Sequence, residues 1–298
     1  MRRSCVAGMG VVFWPAPALR SAATFTSLAS MMQPLVTMDD LVRDLAASGI
    51  GPGDMVMVHA GLRSIGPMIA GPDTLIAALR RCVGPDGTVM GYADWQGAPE
   101  AACDEEGHIL PHWREHVLPF DPASSRAIRD NGAFPEFLRT TPGALRSTSP
   151  GPSMVAIGAR ARWLIDPHPL DYGYGPGTPL ARLVEGRGKV AMIGAPWETM
   201  TLLHHAEHLA DVPGKRVVRW DVPILENGGA VWRRVEEFDT GNPVVDGLDD
   251  DYFDAVVRDF VATGGGRQGK VGAAECLVVD AAEMTGFAIK WLESRFRR

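Results

Sequence analysis

Residues 38–92 alternate between helix and strand signals, and this alternation constrains the fold more than any other feature of the sequence. The apolar spacing predicts helices over 38–48 and 73–82 and buried strands over 55–59 and 88–92. Thr37 or Asp39 is expected to cap the first helix, and Asp73 the second. Helices that alternate with strands in this way are typical of an α/β layer with a parallel or mixed sheet.

Hydrophobic periodicity continues toward the C-terminus without an internal repeat or a clear linker. Further helices are predicted over 132–139, 199–209, 252–261 and 281–296, and further strands over 155–157 and 190–193. Residues 217–225 and 230–238 flank Glu226-Asn227-Gly228-Gly229, which predicts a hairpin with a tight turn. We therefore expect a single large α/β domain over residues 31–298, with a mixed or parallel central sheet flanked by helices.

Residues 1–30 differ from the rest of the chain because they carry three arginines and no acidic residue. Their apolar run is short and broken by Pro15 and Pro17, so it is not expected to span a membrane. We expect a disordered leader or an upstream extension, with the functional start near Met31 or Met32. A cleaved secretory signal is the alternative interpretation.

The composition excludes several classes of protein. With 46% hydrophobic and 22% charged residues, the chain is neither disordered nor collagenous nor a coiled coil. Beyond residue 38 it carries 26 basic and 36 acidic residues, which disfavours a nucleic-acid partner and suits a cationic ligand. The four cysteines lie too far apart for a zinc knuckle or a CxxC redox motif, so we expect a reduced, cytoplasmic protein.

The predicted helix over 199–209 concentrates three histidines and one glutamate in five positions. His204, Glu207 and His208 share one face of that helix because they are three and four residues apart. Their order, H-x-x-E-H, is also found in a class of zinc peptidases. One interpretation is therefore a zinc site in which the glutamate acts as general base.

A second interpretation is acid–base chemistry by one histidine whose other ring nitrogen is oriented by a carboxylate. The predicted hairpin offers such carboxylates near its end. Strand alternation places Glu237 and Asp239 on one face and Glu236 on the other. A solvated acidic strand edge would give the same pattern, so the pattern alone does not decide.

Two loops are candidates for binding an anionic or extended ligand. His59–Ser64 follows a buried strand, and ligands of open α/β sheets bind at the carboxyl ends of strands. Residues 171–179 contain three glycines, which permit a close approach of a ligand to the backbone. Residues 96–125 lose periodicity, and an irregular segment of this length inside a compact domain is usually functional.

Seven short segments, in order and at matching spacing from about Val36 to the C-terminus, carry a resemblance to a known family. They are Met57–Gly66, Phe120–Pro122, Arg146–Ser147, Gly173–Leu180, Thr201–Glu207, Glu236–Gly241 and Trp291–Phe296. The chain resembles the aminoglycoside N(3)-acetyltransferases, the antibiotic N-acetyltransferase family that is unrelated to the GNAT enzymes. This resemblance implies the fold of that family and an antibiotic-resistance enzyme. The enzyme would transfer acetyl from acetyl-CoA to the 3-amino group of 2-deoxystreptamine antibiotics.

The resemblance also implies roles for particular residues. His204 matches the histidine of the family's L-H-x-A-E segment and would be the general base for direct attack by the amine. Asp239 or Glu237 would orient it, with Asp239 favoured. The acetyl-CoA contacts would come from His59, Ala60, Gly61, Leu62, Arg63, Ser64 and Thr178. The family often has serine where this chain has Gly61.

A polycationic substrate would require acidic and polar partners. We expect these to be Tyr92, Asp94, Glu100, Asp104, Glu105 and Glu207. No metal, nucleic-acid or membrane partner is expected, and the enzyme would act as a monomer or homodimer. Two alternatives stay open: an acetyl-CoA-dependent N-acetyltransferase for another amine, and a zinc hydrolase that uses His204, Glu207 and His208.

Overall fold

A mixed seven-stranded sheet forms the centre of the fold. The computed structural model of the protein describes residues 34–97 and 100–296. The sheet order is β3-β4-β2-β1-β5-β9-β8. Its strands are β1 Met55–Ala60, β2 Thr88–Tyr92, β3 Leu145–Arg146, β4 Met154–Gly158, β5 Lys189–Ile193, β8 Arg267–Val271 and β9 Ala274–Asp280. Residues 35–298 form one compact unit, and the predicted single mixed α/β domain is confirmed. The expected leader, residues 1–30, lies outside the described residues.

The three central strands run parallel, whereas the flanking strands are antiparallel. β1 pairs in parallel with both β2 and β5, so the carboxyl ends of these strands lie at one edge of the sheet. β4 and β9 pair antiparallel with β2 and β5, respectively. Ala60, Tyr92 and Ile193, the last residues of the three parallel strands, therefore lie at a common edge, as expected for a ligand site in an open α/β sheet.

Helices cover both faces of the sheet. They are α1 Met38–Ala47, α2 Leu62–Ile65, α3 Pro72–Val83, α4 Phe134–Thr140, α5 Ala161–Ile165, α6 Pro179–Glu185, α7 Leu202–Leu209, α8 Tyr252–Ala262 and α9 Ala281–Phe296. Alternation along β1 separates two cores, because Met57 faces α7, α8 and α9 while Val58 faces α1, α3 and α4. A buried strand flanked on both faces reads as a continuous apolar run, which is what residues 55–58 show.

A separate two-stranded hairpin is formed by β6 Val217–Glu226 and β7 Gly229–Phe238. Asn227 and Gly228 both have positive φ, at 50° and 80°, as the tight turn of a hairpin requires. Val222 and Val235 of the hairpin bury themselves against Trp95 and Phe120 of the irregular segment. The hairpin is thereby packed onto the segment that sequence analysis singled out.

A buried arginine fastens the same irregular segment to the sheet. The Arg146 guanidinium donates to the carbonyl oxygens of Ala93 and Ser125 and to the hydroxyl of Ser153, and it lies over the Phe120 ring. Burial lowers its pKa to about 10, so the guanidinium stays charged at neutral pH. Arg146 thus fastens Ala93, Phe120 and Ser125 to the sheet beside the carboxyl end of β2.

Several local expectations are corrected by the structure. Asp73 does not cap α3, since the helix begins at Pro72 after Gly71 and Asp73 lies in its first turn. The loop expected over His59–Ser64 includes the first residues of the short helix α2. Elements α5, α6, β3, β8 and β9 were not predicted from the sequence. Among the described residues, no helix combines the length and the apolar character needed to cross a membrane.

Candidate active site

Helix α7 carries the histidines that the sequence singled out. Leu202, Leu203 and Ala206 are buried in the core, which fixes the rotation of the helix. His204 projects from another face, and its side chain retains 19% of its exposure. The helix thus presents one partly exposed imidazole beside the carboxyl ends of the parallel strands.

The partner of His204 is a glutamate of the same helix. The Nδ1 atom of His204 lies 2.7 Å from Oε2 of Glu207, whose side chain is only 1% exposed. The other carboxylate oxygen of Glu207 accepts a hydrogen bond from the Tyr252 hydroxyl. Because an ionised carboxylate can only accept, Nδ1 of His204 carries the proton and Nε2 of the neutral ring keeps its lone pair.

Two aromatic rings pack against the His204 imidazole. The ring centroids of Tyr174 and Phe253 both lie 4.8 Å from that of His204. The Tyr174 hydroxyl in turn meets the Tyr92 hydroxyl at 2.7 Å. Burial and the nearby charge of Asp94 hold the pKa of both tyrosines well above the usual value, so both hydroxyls remain protonated. The imidazole plane is therefore fixed by packing as well as by its hydrogen bond.

The expected contact of His204 with Asp239 or Glu237 is not made among the described residues. Asp239 lies just beyond β7, where it accepts from the backbone of Gly241 and from Asn242 and lies 3.5 Å from Arg216. Glu237 points into the core and meets His208 Nε2 at 2.6 Å.

His208, one turn beyond His204, is thereby locked on both sides. Its Nδ1–H donates to the His204 carbonyl oxygen at 2.7 Å, so both ring nitrogens face acceptors. The His208–Glu237 pair is buried at the contact between α7 and the hairpin. The hairpin carboxylate therefore anchors the helix, while the orienting carboxylate of His204 comes from within the helix.

Two adjoining cavities open at the carboxyl ends of the parallel strands. The His204 cavity, of about 360 Å³, is lined by His204, Phe253, Tyr92, His59 and neighbouring residues. The large cavity, of about 1050 Å³, is lined by residues 60–64 together with residues of 126–137. Ala60, Gly61 and Gly132 line both, so the two cavities adjoin at these residues. An extended ligand that crosses this boundary would lie in the large cavity and beside His204.

The loop between the two cavities depends on backbone contact. The Gly61 N–H donates to the Ile193 carbonyl oxygen at 2.9 Å, and a Cβ on Gly61 would overlap the carbonyl oxygen of Gly194. Gly194, with φ of 60°, would itself overlap the Ser64 hydroxyl if it carried a side chain. Glycine at position 61 thus allows β1 and β5 to approach closely where both cavities begin.

Three arginines line the large cavity: Arg63, Arg126 and Arg129. Arg126 also donates to Glu136 at 2.5 Å. Although partial burial opposes ionisation, hydrogen bonds from Arg139, the Ala127 N–H and Arg126 lower the pKa of Glu136 to about 2. The wall of the cavity is therefore cationic, apart from one well-paired carboxylate.

His59 lines the His204 cavity but its Nε2 atom is enclosed and has no hydrogen-bond partner among the described residues. Burial lowers its pKa to about 4, so the ring is neutral at pH 7. Of the residues expected at acetyl-CoA, His59, Ala60, Gly61, Leu62, Arg63 and Ser64 all border one or both cavities.

Thr178 does not join these residues. It is fully buried, where its hydroxyl donates to the Gly175 carbonyl oxygen and accepts from the Ala181 N–H. This is the geometry of an N-cap, and Thr178 begins helix α6. Thr178 therefore has a structural role in this fold and does not make the expected cofactor contact. A small polar residue before proline is a common signal for the start of a helix.

The expected substrate-binding residues separate into two groups. Tyr92 lines the His204 cavity, and the charge of Asp94 acts on the Tyr92 hydroxyl. Asp104 and Glu105 are exposed in a turn that packs on the hairpin, and neither lines the described cavities. Glu100 begins a short 3-10 turn in the same segment. Glu207 is buried against His204 and Tyr252, so it orients the imidazole and cannot reach a bound substrate.

The described part of the chain does not offer the set of metal ligands that the zinc interpretation requires. There, no group of three or more histidine, cysteine, aspartate or glutamate side chains is arranged to hold a metal ion. His204 and His208 each direct Nδ1 at a protein acceptor, and His208 directs Nε2 at Glu237. These histidines are organised by carboxylates and carbonyls within the protein.

Sequence reasoning missed several residues of the site. Tyr174, Tyr252 and Phe253 surround His204 and Glu207, and Asp130 and Glu198 are exposed carboxylates that line the His204 cavity. The available signal was the position of Tyr252 and Phe253 at the start of a predicted amphipathic helix. That signal does not say which neighbour they meet.

Comparisons with known proteins place the chain in a family. Residues 57–293 match the family profile described as aminoglycoside 3-N-acetyltransferase. Aminoglycoside N(3)-acetyltransferase III of Pseudomonas aeruginosa is 47% identical over 257 residues, covering 86% of this chain and 93% of the relative.

Two solved structures are similar in both sequence and fold. AAC-IIIb in a binary complex with CoASH is 58% identical, with a TM-score of 0.87 over 88% of this chain and 98% of the other. Sisomicin-bound AAC-VIa is 36% identical, with a TM-score of 0.85 over 89% of this chain and 100% of the other. The resemblance inferred from the seven segments is confirmed, and the chain belongs to the aminoglycoside 3-N-acetyltransferase family.

Proposed function

We propose that the protein transfers acetyl from acetyl-CoA to the 3-amino group of 2-deoxystreptamine antibiotics, with His204 as general base. One observation carries this proposal. A partly exposed imidazole, held at Nδ1 by a buried glutamate, lines a cavity that adjoins a large arginine-lined cavity. This arrangement provides a base and, next to it, a place for the acyl donor.

The large cavity has the chemistry that coenzyme A requires. Coenzyme A carries phosphates, and Arg63, Arg126 and Arg129 offer guanidinium groups, which suit phosphate recognition. Leu62, Met68 and Phe137 provide apolar surface in the same cavity. A donor bound there would extend its thioester past Gly61 toward His204. The complex of the relative AAC-IIIb with CoASH supports coenzyme A as the donor's carrier.

The chemistry assigned to His204 follows from the state of the amine. An ammonium group has no lone pair and cannot attack a thioester, so a base must remove a proton. His204 Nε2 takes this first proton and releases it to water. The neutral amine nitrogen then forms a bond to the thioester carbon, and the carbon–sulfur bond breaks. As the amide forms, the nitrogen loses a second proton, which His204 Nε2 takes and passes to the departing thiolate. Glu207 stabilises the imidazolium that forms between these steps.

Carboxylates near the His204 cavity suit a polycationic acceptor. Asp130 and Glu198 line it, and Asp94 lies next to the Tyr92 hydroxyl. The acidic excess of the chain would raise the encounter rate with a polycation, and salt would reduce this effect. The sisomicin complex of the relative AAC-VIa supports an aminoglycoside as the acceptor. Because acetyl-CoA is a metabolite of the cytoplasm, we place the reaction there.

The first experiment measures thiol release from acetyl-CoA by the full chain, with and without gentamicin. We expect release that depends on the drug, and higher resistance of bacteria that express the protein. His204→Asn should lower kcat by about 10²- to 10⁴-fold, the usual contribution of general acid–base catalysis. His116→Gln, which changes an exposed histidine outside both cavities, should leave kcat unchanged.

Two results would contradict the proposal. Binding of acetyl-CoA without release in the presence of any deoxystreptamine drug would point to an acceptor amine of another class. Full turnover by His204→Asn would show that a different group removes the proton.

A further inference from the structure

A three-member hydrogen-bonded chain runs from the His204 cavity into the core. His204 Nδ1 meets one oxygen of Glu207, and the Tyr252 hydroxyl donates to the other oxygen. The His204 side chain keeps 19% of its exposure, whereas Glu207, at 1%, and Tyr252 are both buried. Tyr252 is the first residue of α8, and Phe253 after it packs against the His204 ring.

We propose that Tyr252 is a positioning residue that fixes the orientation and charge distribution of Glu207, and through it sets the basicity of His204. This inference rests on the proposed function, in which His204 removes the proton. It assigns to the start of α8 a role that neither the spacing of the sequence nor the family resemblance indicated.

The physical argument concerns a buried carboxylate. A carboxylate removed from water needs hydrogen-bond donors for both oxygens, and here each oxygen receives one. The tyrosine bond draws negative charge toward its own oxygen, which weakens the hold of Glu207 on the imidazolium. Loss of the tyrosine hydroxyl would leave the carboxylate free to rotate and would strengthen its attraction for a proton on His204. The first effect lowers kcat, and the second makes the imidazole a stronger base.

Other titratable groups around this chain stay the same when the hydroxyl is removed. His208 and Glu237 form their own pair one turn away, and Lys215 donates to the carbonyl oxygens of His208 and Ala210. From the 171–178 loop and β2, the protonated hydroxyls of Tyr174 and Tyr92 and the charge of Asp94 face the same region. A shift in the pH profile of a variant therefore reports the lost hydroxyl.

The test is Tyr252→Phe, which keeps the ring and removes only the hydroxyl. We expect kcat with gentamicin to fall on the order of 10-fold, with little change in KM for acetyl-CoA. The rising limb of kcat/KM against pH should move to higher pH by a measurable fraction of a unit. In a Glu207→Gln background, which removes the charge, Tyr252→Phe should no longer move the limb.

Tyr172→Phe is the matched control. It removes a tyrosine hydroxyl that donates to Glu236 on the hairpin, outside the His204 chain, and should leave kcat and the pH profile unchanged. A Tyr252→Phe variant with the wild-type profile would overturn the inference, as would a lower kcat with an unmoved limb. If His204→Asn is inactive while Tyr252→Phe is unaffected, the inference fails and the proposed function stands. If His204→Asn keeps full activity, the proposed function itself fails.

Discussion

At the scale of single residues, the glycine at position 61 allows the close backbone contact found where the two cavities meet. A Cβ there would overlap the Gly194 carbonyl oxygen, and that contact is made by rigid backbone. We predict that Gly61→Ser lowers the free energy of unfolding by about 1–3 kcal/mol, the usual cost of overpacking. Acetyl-CoA affinity should fall as well, because the strand ends must move apart. Urea unfolding and calorimetric titration with coenzyme A measure the two effects.

Gly51 provides the control for this prediction. It precedes β1, lies outside the left-handed region and has no atom near the position of a Cβ. Gly51→Ser should therefore leave stability and coenzyme A binding close to wild type. Equal losses in the two variants would show that the contact with Gly194 is not the cause.

The hairpin and α7 are joined by one buried charged pair. Glu237 and His208 keep 5% and 2% of their side-chain exposure and lie 2.6 Å apart. We predict that Glu237→Ala lowers the free energy of unfolding by about 3–5 kcal/mol, since it leaves a buried imidazole without its acceptor. Glu236→Ala, on the opposite face of the same strand, removes exposed contacts with Tyr172 and Arg219 and should cost far less. Urea unfolding of both variants makes the comparison.

The same pair of variants separates two roles for Glu237. An anchoring role predicts lost stability with activity that follows the folded fraction. If Glu237→Ala folded normally but lost turnover, Glu237 would orient the base directly and the role of Glu207 would need revision.

Elements with a strong local pattern could be predicted from the sequence. β1, β2, α1 and the hairpin have apolar periodicity and turn residues that act within a few positions. β8 and β9 could not, because β8 is an edge strand with mostly exposed side chains and β9 runs directly into α9 without a breaker. β9 takes its place in the sheet by pairing with β5, and β8 by pairing with β9, and local sequence does not encode the long-range pairing with β5.

The candidate site was predictable only in part, for a related reason. His204 stands out because histidines and a glutamate are concentrated on one predicted helix. The 59–64 loop stands out because small residues follow a buried strand. The prediction of the partner of His204 was wrong. Strand alternation gives the face of the strand on which Glu237 lies, but not its distance from His204. Tyr252 lies 45 residues beyond Glu207, and their contact depends on the course of the intervening hairpin and loop.

At the scale of the whole molecule, buried neutral histidines should make stability depend on pH. Burial lowers the pKa of His59 and His168 from 6.5 to about 4. His168 is held between the Ser147 hydroxyl and the Gly173 carbonyl oxygen, away from both cavities described around His204. Below pH 6.5 the unfolded chain binds protons at these sites and the folded chain does not, so acid favours unfolding.

This uptake sets the size of the expected effect. Each of the two histidines removes roughly 1.4 kcal/mol of stability per pH unit below 6.5, so the pair costs about 4 kcal/mol between pH 7 and pH 5. His205, whose pKa burial also lowers, acts in the same direction. The loss should continue until the pH falls through about 4. The well-paired carboxylate of Glu136 titrates only nearer pH 2 and should not contribute between pH 7 and pH 5.

Unfolding in urea at pH 7, 6 and 5 tests this expectation on the full chain. His168→Gln should be less stable than wild type at pH 7, because glutamine does not reproduce both contacts of the imidazole. Because glutamine cannot take up a proton, the variant should lose less stability than wild type on acidification, by about 2 kcal/mol. His116→Gln, which alters an exposed histidine, should keep the wild-type dependence. An unchanged pH dependence in His168→Gln would mean that His168 is protonated in the folded state. Its contact with the Ser147 hydroxyl would then have the opposite donor, with the imidazolium donating to serine.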